Sequence, residues 1–330
     1  MLWNGEKQGE ELFTLLLTNL EPGSYIYNYA LPDEEKSLCA LEMRSFFGFD
    51  TELSTLESSV KIDQSRSPFM RGRMDVIFEG EQLEDVIEQV KKLELNGSTF
   101  KVMYVKVAGP EKVDFKERRR IERVVGLQIP GEPELINPDV LFGIMNVNGG
   151  WVFGEYHSSE AVWLYHQQKP HSYSTSLSTR VARAVANIAV PDPAGVKAID
   201  PCCGIGTVVV EALSMGIDIV ASDVNPLILP GTRENIAHFG YAAEVTFKDI
   251  RKVTGSYDVA IIDMPYNLCS VITPEEQLEM LQSTFKFADK VVIVTIEPID
   301  SIIGDAGFEI ADRCVVRKGN FEREIIVCKK

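Results

Sequence analysis

Residues 200–207, Asp-Pro-Cys-Cys-Gly-Ile-Gly-Thr, follow the short run Val196–Ile199 and precede Val208-Val209-Val210-Glu211-Ala212-Leu213. An apolar run, two glycines and a helix-forming stretch predict a strand, a glycine turn and a helix. Working outward, the pattern recurs. The strand Ile217–Ser222 ends in Asp223-Val224-Asn225-Pro226, a helix around Gly231–Phe239 leads to the strand Glu244–Phe247 with Asp249-Ile250 after it, and Tyr257–Ile262 ends in Asp263-Met264-Pro265-Tyr266-Asn267. Four successive strands that each run into an acid predict one crevice at the carboxyl edge of an open parallel sheet. Val291–Ile296 supplies a fifth strand, and Phe308–Val316 with Glu324–Cys328, around Lys318-Gly319-Asn320, reads as a closing antiparallel hairpin. The expected class is α/β, a Rossmann-like, mostly parallel sheet with a C-terminal antiparallel hairpin.

The glycine turn also carries chemistry. A dinucleotide site calls for a third glycine and backbone amides aimed at a pyrophosphate, whereas here the strand closes on Asp200 and the turn has Gly204 and Gly206. An acid at that corner suits a cation. S-adenosylmethionine, with a sulfonium, an α-ammonium and no phosphate, meets those needs, and the first expectation is a methyltransferase. Asp223 is placed for a ribose diol and Asp249-Ile250 for an adenine edge. Each acid alone also admits a structural reading, because Asp at a strand end often caps the next helix.

Asp263-Met264-Pro265-Tyr266 resembles Asp/Asn-Pro-Pro-Tyr/Phe, the signature of methyltransferases that act on exocyclic amines of nucleic-acid bases, with one substitution. Together with Asp200–Thr207, and with Lys169-Pro170-His171-Ser172-Tyr173 and the helix Thr179–Ala189 upstream, it makes the C-terminal half resemble the THUMP-containing tRNA guanosine N2-methyltransferases of the UPF0020 type. That resemblance implies a class I SAM-dependent methyltransferase fold behind an N-terminal α+β RNA-binding arm. It implies S-adenosylmethionine held by Asp200, Cys202, Gly204, Gly206, Thr207, Asp223, Val224, Asp249, Ile250 and Asp263, with tRNA as partner and guanine N2 as acceptor. Guanine N2 in rRNA and adenine N6 are alternative acceptors, and a catalytically impaired SAM-binding RNA protein is a further alternative.

The acceptor motif divides into roles. The Asp263 carboxylate and a backbone carbonyl of Met264-Pro265 would hold the hydrogens of an exocyclic amine and draw its nitrogen towards a nucleophilic geometry, Tyr266 would stack on the base, and Asn267 would touch substrate. A base within a helix must be flipped out to reach such a pocket. Met264 departs from the family pattern; proline there would stiffen the backbone, so Met264→Pro is expected to be tolerated and to speed transfer.

At 330 residues the chain exceeds one ordinary domain. The expected boundaries are a ferredoxin-like segment over 1–69, a THUMP-like RNA-binding domain over 70–157, a linker over 158–172 and the methyltransferase domain over 173–330. Within the arm, the pattern predicts strands Tyr25–Tyr29, Asp75–Phe78, Phe100–Val107, Val140–Val147 and Trp151–Tyr156, and helices Glu34–Phe47, Glu81–Leu93 and Phe115–Val125. The net charge of −16 is unusual for a protein that meets phosphates, so distribution matters more than the sum. Lys112, Lys116, Arg118, Arg119, Arg120 and Arg123 crowd one helical stretch, from which Lys116, Arg119, Arg120 and Arg123 are candidate RNA contacts; a solvated charged face is the competing reading. Six cysteines lack paired metal-ligand spacing and suggest no disulfide framework, so no metal is expected. No apolar run approaches a membrane span and the start lacks a basic signal segment, so no membrane partner and a cytoplasmic location are expected, with oligomeric state left open.

Overall fold

The computed structural model describes residues 23–50, 53–107, 113–147, 149–173, 176–265, 272–318 and 321–330. The chain divides into two compact units, and neither is continuous in sequence. The first comprises residues up to Ala30 with Thr51–Gln64 and Met70–Ser159, and the second comprises Leu31–Asp50, Ser65–Phe69 and Glu160–Lys330.

The first unit is a six-stranded sheet. Its strands are β1 (Tyr25–Tyr29), β2 (Thr55–Ser58), β3 (Met70–Gly80), β4 (Phe100–Tyr104), β5 (Val140–Val147) and β6 (Gly150–Ser158), in the order β2-β1-β3-β6-β5-β4. Neighbours are antiparallel except β4 and β5, which run parallel. The helices Leu83–Val90 and Phe115–Gly126 bury Val86, Val90, Ile121 and Val125 against Phe142 and Phe153 of the sheet. Each helix starts at a side-chain cap: Asp85 Oδ2 accepts from Gln82 N (2.8 Å), and Asp114 Oδ1 accepts from Glu117 N (2.9 Å). The first helix is shorter than the apolar period suggests. After Val90 the chain turns through Asn96 and Gly97, both at positive φ.

The second unit is a seven-stranded sheet of β7 (Lys197–Asp200), β8 (Asp218–Asp223), β9 (Val245–Phe247), β10 (Tyr257–Asp263), β11 (Ala288–Thr295), β12 (Glu309–Lys318) and β13 (Phe321–Lys329). The order is β12-β13-β11-β10-β7-β8-β9, with β7 to β11 parallel and β13 antiparallel to both β11 and β12. This is the expected Rossmann-like sheet closed by an antiparallel hairpin, the class I methyltransferase topology. The chain runs outward from β7 through β8 to β9 and then returns to place β10 on the other side of β7. That reversal opens a crevice at the carboxyl ends of β7 and β10.

Layers of helix cover the sheet. Pro274–Phe287, entered through a reciprocal Thr273–Glu276 cap, and Asp300–Asp305 supply Leu281, Phe287 and Ile303 to a core shared with Ala260, Ile262, Val291 and Ile293. Thr179–Ala189, capped by Ser178, packs on β10, β11 and β13 and on the helix Lys36–Phe47. The latter begins after the short 3-10 turn Asp33–Glu35. Sequence order puts this helix in a segment over 1–69, but it belongs instead to the second unit. Arg44 reaches across 268 positions to hold Asp312 with Nε at 2.8 Å and a second guanidinium nitrogen at 3.0 Å. Glu42, fully buried, accepts from Ser67 Oγ and from Asn187 Nδ2 at 2.7 Å. Such long-range pairing leaves no local trace in the sequence, which is why contiguity misplaces the helix.

Candidate active site

A cavity of about 490 Å³ lies in the crevice of the second unit, with Asp200, Gly204, Asp223, Asp249 and Asp263 among its lining residues. Its floor is the glycine turn. Gly204 and Gly206 both have positive φ (52° and 77°), and a Cβ at Gly206 would come to 2.9 Å from Thr232 Cγ2, whereas one at Gly204 would meet no protein atom within 4 Å. Gly206 is therefore required by packing, and Gly204 leaves space beside the cavity. Thr232 Oγ1 donates to Gly204 O at 2.6 Å, and Asp223 Oδ2 accepts from Gly204 N at 2.9 Å, so the turn is held from both sides.

Two of the strand-end acids, Asp200 and Asp223, are both raised by burial but differ in what opposes it. Asp200 is buried, and burial, reinforced by the negative charges of Asp263 and Asp223, pushes its carboxyl well above the usual carboxylate range against one opposing hydrogen bond from Cys202 N (3.2 Å). Asp223 is also raised by burial, opposed by the N–H groups of Asn225 and Gly204. A buried carboxylate whose charged neighbours are carboxylates is a site that a cation relieves. Thr207, at the start of the next helix, lines the same cavity with a buried Oγ1 that has no hydrogen-bond partner among the described residues. These features fit a cationic cofactor that also brings hydrogen-bonding groups, as S-adenosylmethionine does.

Cys202 lines the cavity too, with its thiol pushed well up by burial and by the surrounding carboxylates, so it stays a neutral packing group. Val224 is at the exposed rim and Ile250 is buried, and both line the cavity. Asp249 departs from the simple adenine-edge expectation. Arg251 grips its carboxylate through the guanidinium (Nη2 to Oδ2, 2.6 Å) and through its own backbone N–H (2.9 Å to Oδ1), which holds Asp249 below the usual range. Its carboxylate is thus already engaged, and Ile250 is the neighbour with an apolar side chain facing the site.

Asp263 ends β10 and, with Met264 and Pro265, completes the wall. Met264 is 2% exposed and packs in the core with Ile199 and Met280. Tyr266 and Asn267 lie outside the described residues, as does Lys112. Five cysteines are described, and all are free.

The basic stretch lies on the other unit, along Phe115–Gly126. Lys116, Arg119, Arg120 and Arg123 are at its surface, but the helix neutralises two of them itself: Arg119 pairs with Glu122 (2.8 Å) and Arg120 with Glu117 (2.6 Å). The i,i+3 spacing of acids among the bases is the sequence signal for this pairing.

Two further groups have no such signal. Asn235 is wholly buried and bonds the connector before the helix Thr179–Ala189, and a His166–Glu211–Arg183 cluster is buried behind the glycine-turn helix (2.9 and 2.8 Å). A lone His and a mid-helix Asn carry no pattern from which such contacts can be read.

Residues 167–292 match the sequence profile of the family described as RMKL-like, methyltransferase domain (UPF0020). A curated relative, the tRNA (guanine(10)-N2)-dimethyltransferase of Methanothermobacter thermautotrophicus, is 27% identical over 216 residues, 62% of this chain and 62% of that protein. The match thus spans less than two thirds of the relative's length. Among solved structures, TrmN from Thermus thermophilus superposes with a TM-score of 0.48 at 17% identity, covering 93% of this chain and 99% of that one. The magnesium protoporphyrin IX methyltransferase ChlM from Synechocystis PCC 6803, with bound SAM, gives 0.39 at 15% identity over 51% of this chain and 90% of its own.

Proposed function

We propose that the chain transfers a methyl group from S-adenosylmethionine to an exocyclic amine of an RNA base, guanine N2 in tRNA. The observation that carries this reading is the cavity at the carboxyl ends of β7, β8 and β10, where Asp200, Asp223 and Asp263 converge on a glycine turn. The curated relative's own activity, dimethylation of guanine N2 in tRNA, supports the choice of acceptor, and the family matched over 167–292 supports the choice of reaction.

When bound, the cofactor supplies a methyl group already activated by its positive sulfur. Asp200 would face the cationic end, where its negative charge gains a partner. Asp223 would accept from ribose hydroxyls while keeping its hold on Gly204 N, since each carboxylate oxygen has more than one acceptor direction. Ile250 would pack on the adenine. Asp263, with the Met264 carbonyl, would accept the two hydrogens of the exocyclic amine and take up a proton after transfer. The remaining requirement is alignment, which a preorganised wall provides. The cations Lys116 and Arg123 of the first unit, joined by Arg119 and Arg120, would meet RNA phosphates. Among the described residues no helix is long and apolar enough to cross a membrane, and a tRNA substrate would be met in the cytoplasm.

The test is incubation of the full chain with tRNA and, in parallel, with rRNA, each with isotopically labelled SAM, followed by digestion to nucleosides and mass spectrometry. N2-methylguanosine or N2,N2-dimethylguanosine is the expected product. Label in N6-methyladenosine, in rRNA alone, or in nothing would overturn the acceptor, the RNA or the reaction in turn.

A further inference from the structure

Asn235 makes three hydrogen bonds from a fully buried side chain on the helix Leu229–His238. Its Oδ1 accepts from His171 N (2.9 Å), and its Nδ2 donates to His171 O (3.1 Å) and to Ile205 O (2.9 Å). One amide thus grips both backbone polar atoms of a connector residue and the carbonyl between the two glycines of the cofactor turn. Two neighbours on the same helix reinforce the grip: Glu234 pairs with His171 Nε2 at 2.6 Å, and Gly231 leaves room for the imidazole, which would lie 3.1 Å from a Cβ at that position. Two residues beyond His171 is Tyr173, 55% exposed and part of the cavity lining together with Leu177.

We propose that Asn235 is a positioning residue which clips the connector to the glycine turn and so holds Tyr173 as a wall of the cofactor cavity. The inference rests on the reading of that cavity as a SAM site. The physical need is plain. The connector around His171 lies outside any strand or helix, so without a clip its ordering would have to come from the ligand at the moment of binding, which weakens affinity. Asparagine is suited to the task because it offers one acceptor and two donors in one plane. Aspartate keeps the acceptor for His171 N but puts an oxygen in place of the NH2 that donates to the carbonyls of His171 and Ile205, so that acceptors face acceptors.

The experiment measures SAM affinity by calorimetry and thermal stability for the full chain and for Asn235→Asp, Tyr173→Ala, their double mutant, and Ile325→Ala. The last removes a fully buried side chain from β13, outside the cavity, and reports what destabilisation alone does. Asn235→Asp is expected to weaken SAM by about tenfold, the scale of one or two lost buried hydrogen bonds. Tyr173→Ala, at an exposed position that folding tolerates, should weaken it as well. Because both changes disturb the same wall, the double mutant should lose less than the product of the two single losses. Ile325→Ala should melt lower and bind SAM as the parent does. Unchanged SAM affinity in folded Asn235→Asp, or losses that multiply in the double mutant, would overturn the positioning role while leaving the cofactor reading intact. A parent protein that binds no SAM would overturn the cofactor reading itself, and this inference with it.

Discussion

The backbone N–H of Met264 donates to the carbonyl of Val294 at 2.9 Å, extending the β10–β11 ladder one step beyond Asp263. Both residues are buried, so the carbonyl has no water to turn to. Proline at 264 lacks the N–H. Met264→Pro, which the family pattern marks as tolerable, is therefore expected to cost about 1–3 kcal/mol of stability and to slow single-turnover methylation by loosening the Asp263 wall. Met264→Leu keeps the bond and the volume and should behave like the parent. Urea midpoints for the three proteins, with methyl transfer per bound SAM, decide it; a faster Met264→Pro enzyme would refute the role of this bond.

Asp200→Asn should separate binding from stability. Loss of the charge weakens SAM by about tenfold or more, since a charge-assisted contact contributes on the order of 1.4 kcal/mol. The same change should stabilise the cofactor-free protein above the ordinary carboxylate range, because the folded state holds this carboxyl's proton more tightly than the unfolded chain and so loses stability as pH rises towards the raised value. Calorimetry with SAM and thermal unfolding without it at pH 8 test the two halves. A variant that binds SAM as well as the parent would remove Asp200 from the cofactor site.

Glu42 gives a separate pH signature. Burial pushes its carboxyl up from 4.5 to about 7, offset in part by Ser67 and Asn187 and by the charges of Arg183 and Arg66. Between those two values the unfolded chain has released the proton and the folded protein retains it. Stability should fall as pH rises through that window, by at most about 1.4 kcal/mol per pH unit, and level off above about 7. Glu42→Gln should flatten this component of the slope. Denaturant unfolding of both proteins at pH 5, 6, 7 and 8 measures it, and parallel curves would show that Glu42 does not titrate there.

On the basic helix, the internal pairs change what mutation should do. Arg119 and Arg120 are already partly neutralised by Glu122 and Glu117. Replacing both acids by Gln should therefore tighten tRNA binding. Arg119→Ala, Arg120→Ala and Arg123→Ala together should weaken it and make log affinity less steep against log salt, by about 0.9 for each phosphate that the helix no longer neutralises. Unaltered slopes in both variants would mark the helix as a solvated face.

Local pattern carried the second unit well. Apolar runs closed by Asp200, Asp223 and Asp263 mark β7, β8 and β10 nearly to the residue, because a parallel strand buried on both sides must be apolar and must stop where the polar crevice begins. Asp249 shows the limit of that logic: its position is legible, but its engagement by Arg251 depends on a side-chain choice made after folding. The unit boundaries are less legible still. A fragment beginning at Tyr173 would contain Asp200, Asp223 and Asp263 yet leave behind Glu42, Ser67 and Arg44, whereas Asn187 and Asp312, the partners of Glu42 and Arg44, lie within it. No period or motif links positions so far apart.

That split arrangement has a consequence for how the protein is made. The helix Lys36–Phe47 leaves the ribosome well before Asp312, which Arg44 holds and which follows 268 residues later. At ordinary synthesis rates the helix waits roughly 10–50 s for that partner. Assembly of the second unit therefore cannot finish before β12 has been made, and in the interval the early helix is a surface that a chaperone, or another nascent chain, can reach first.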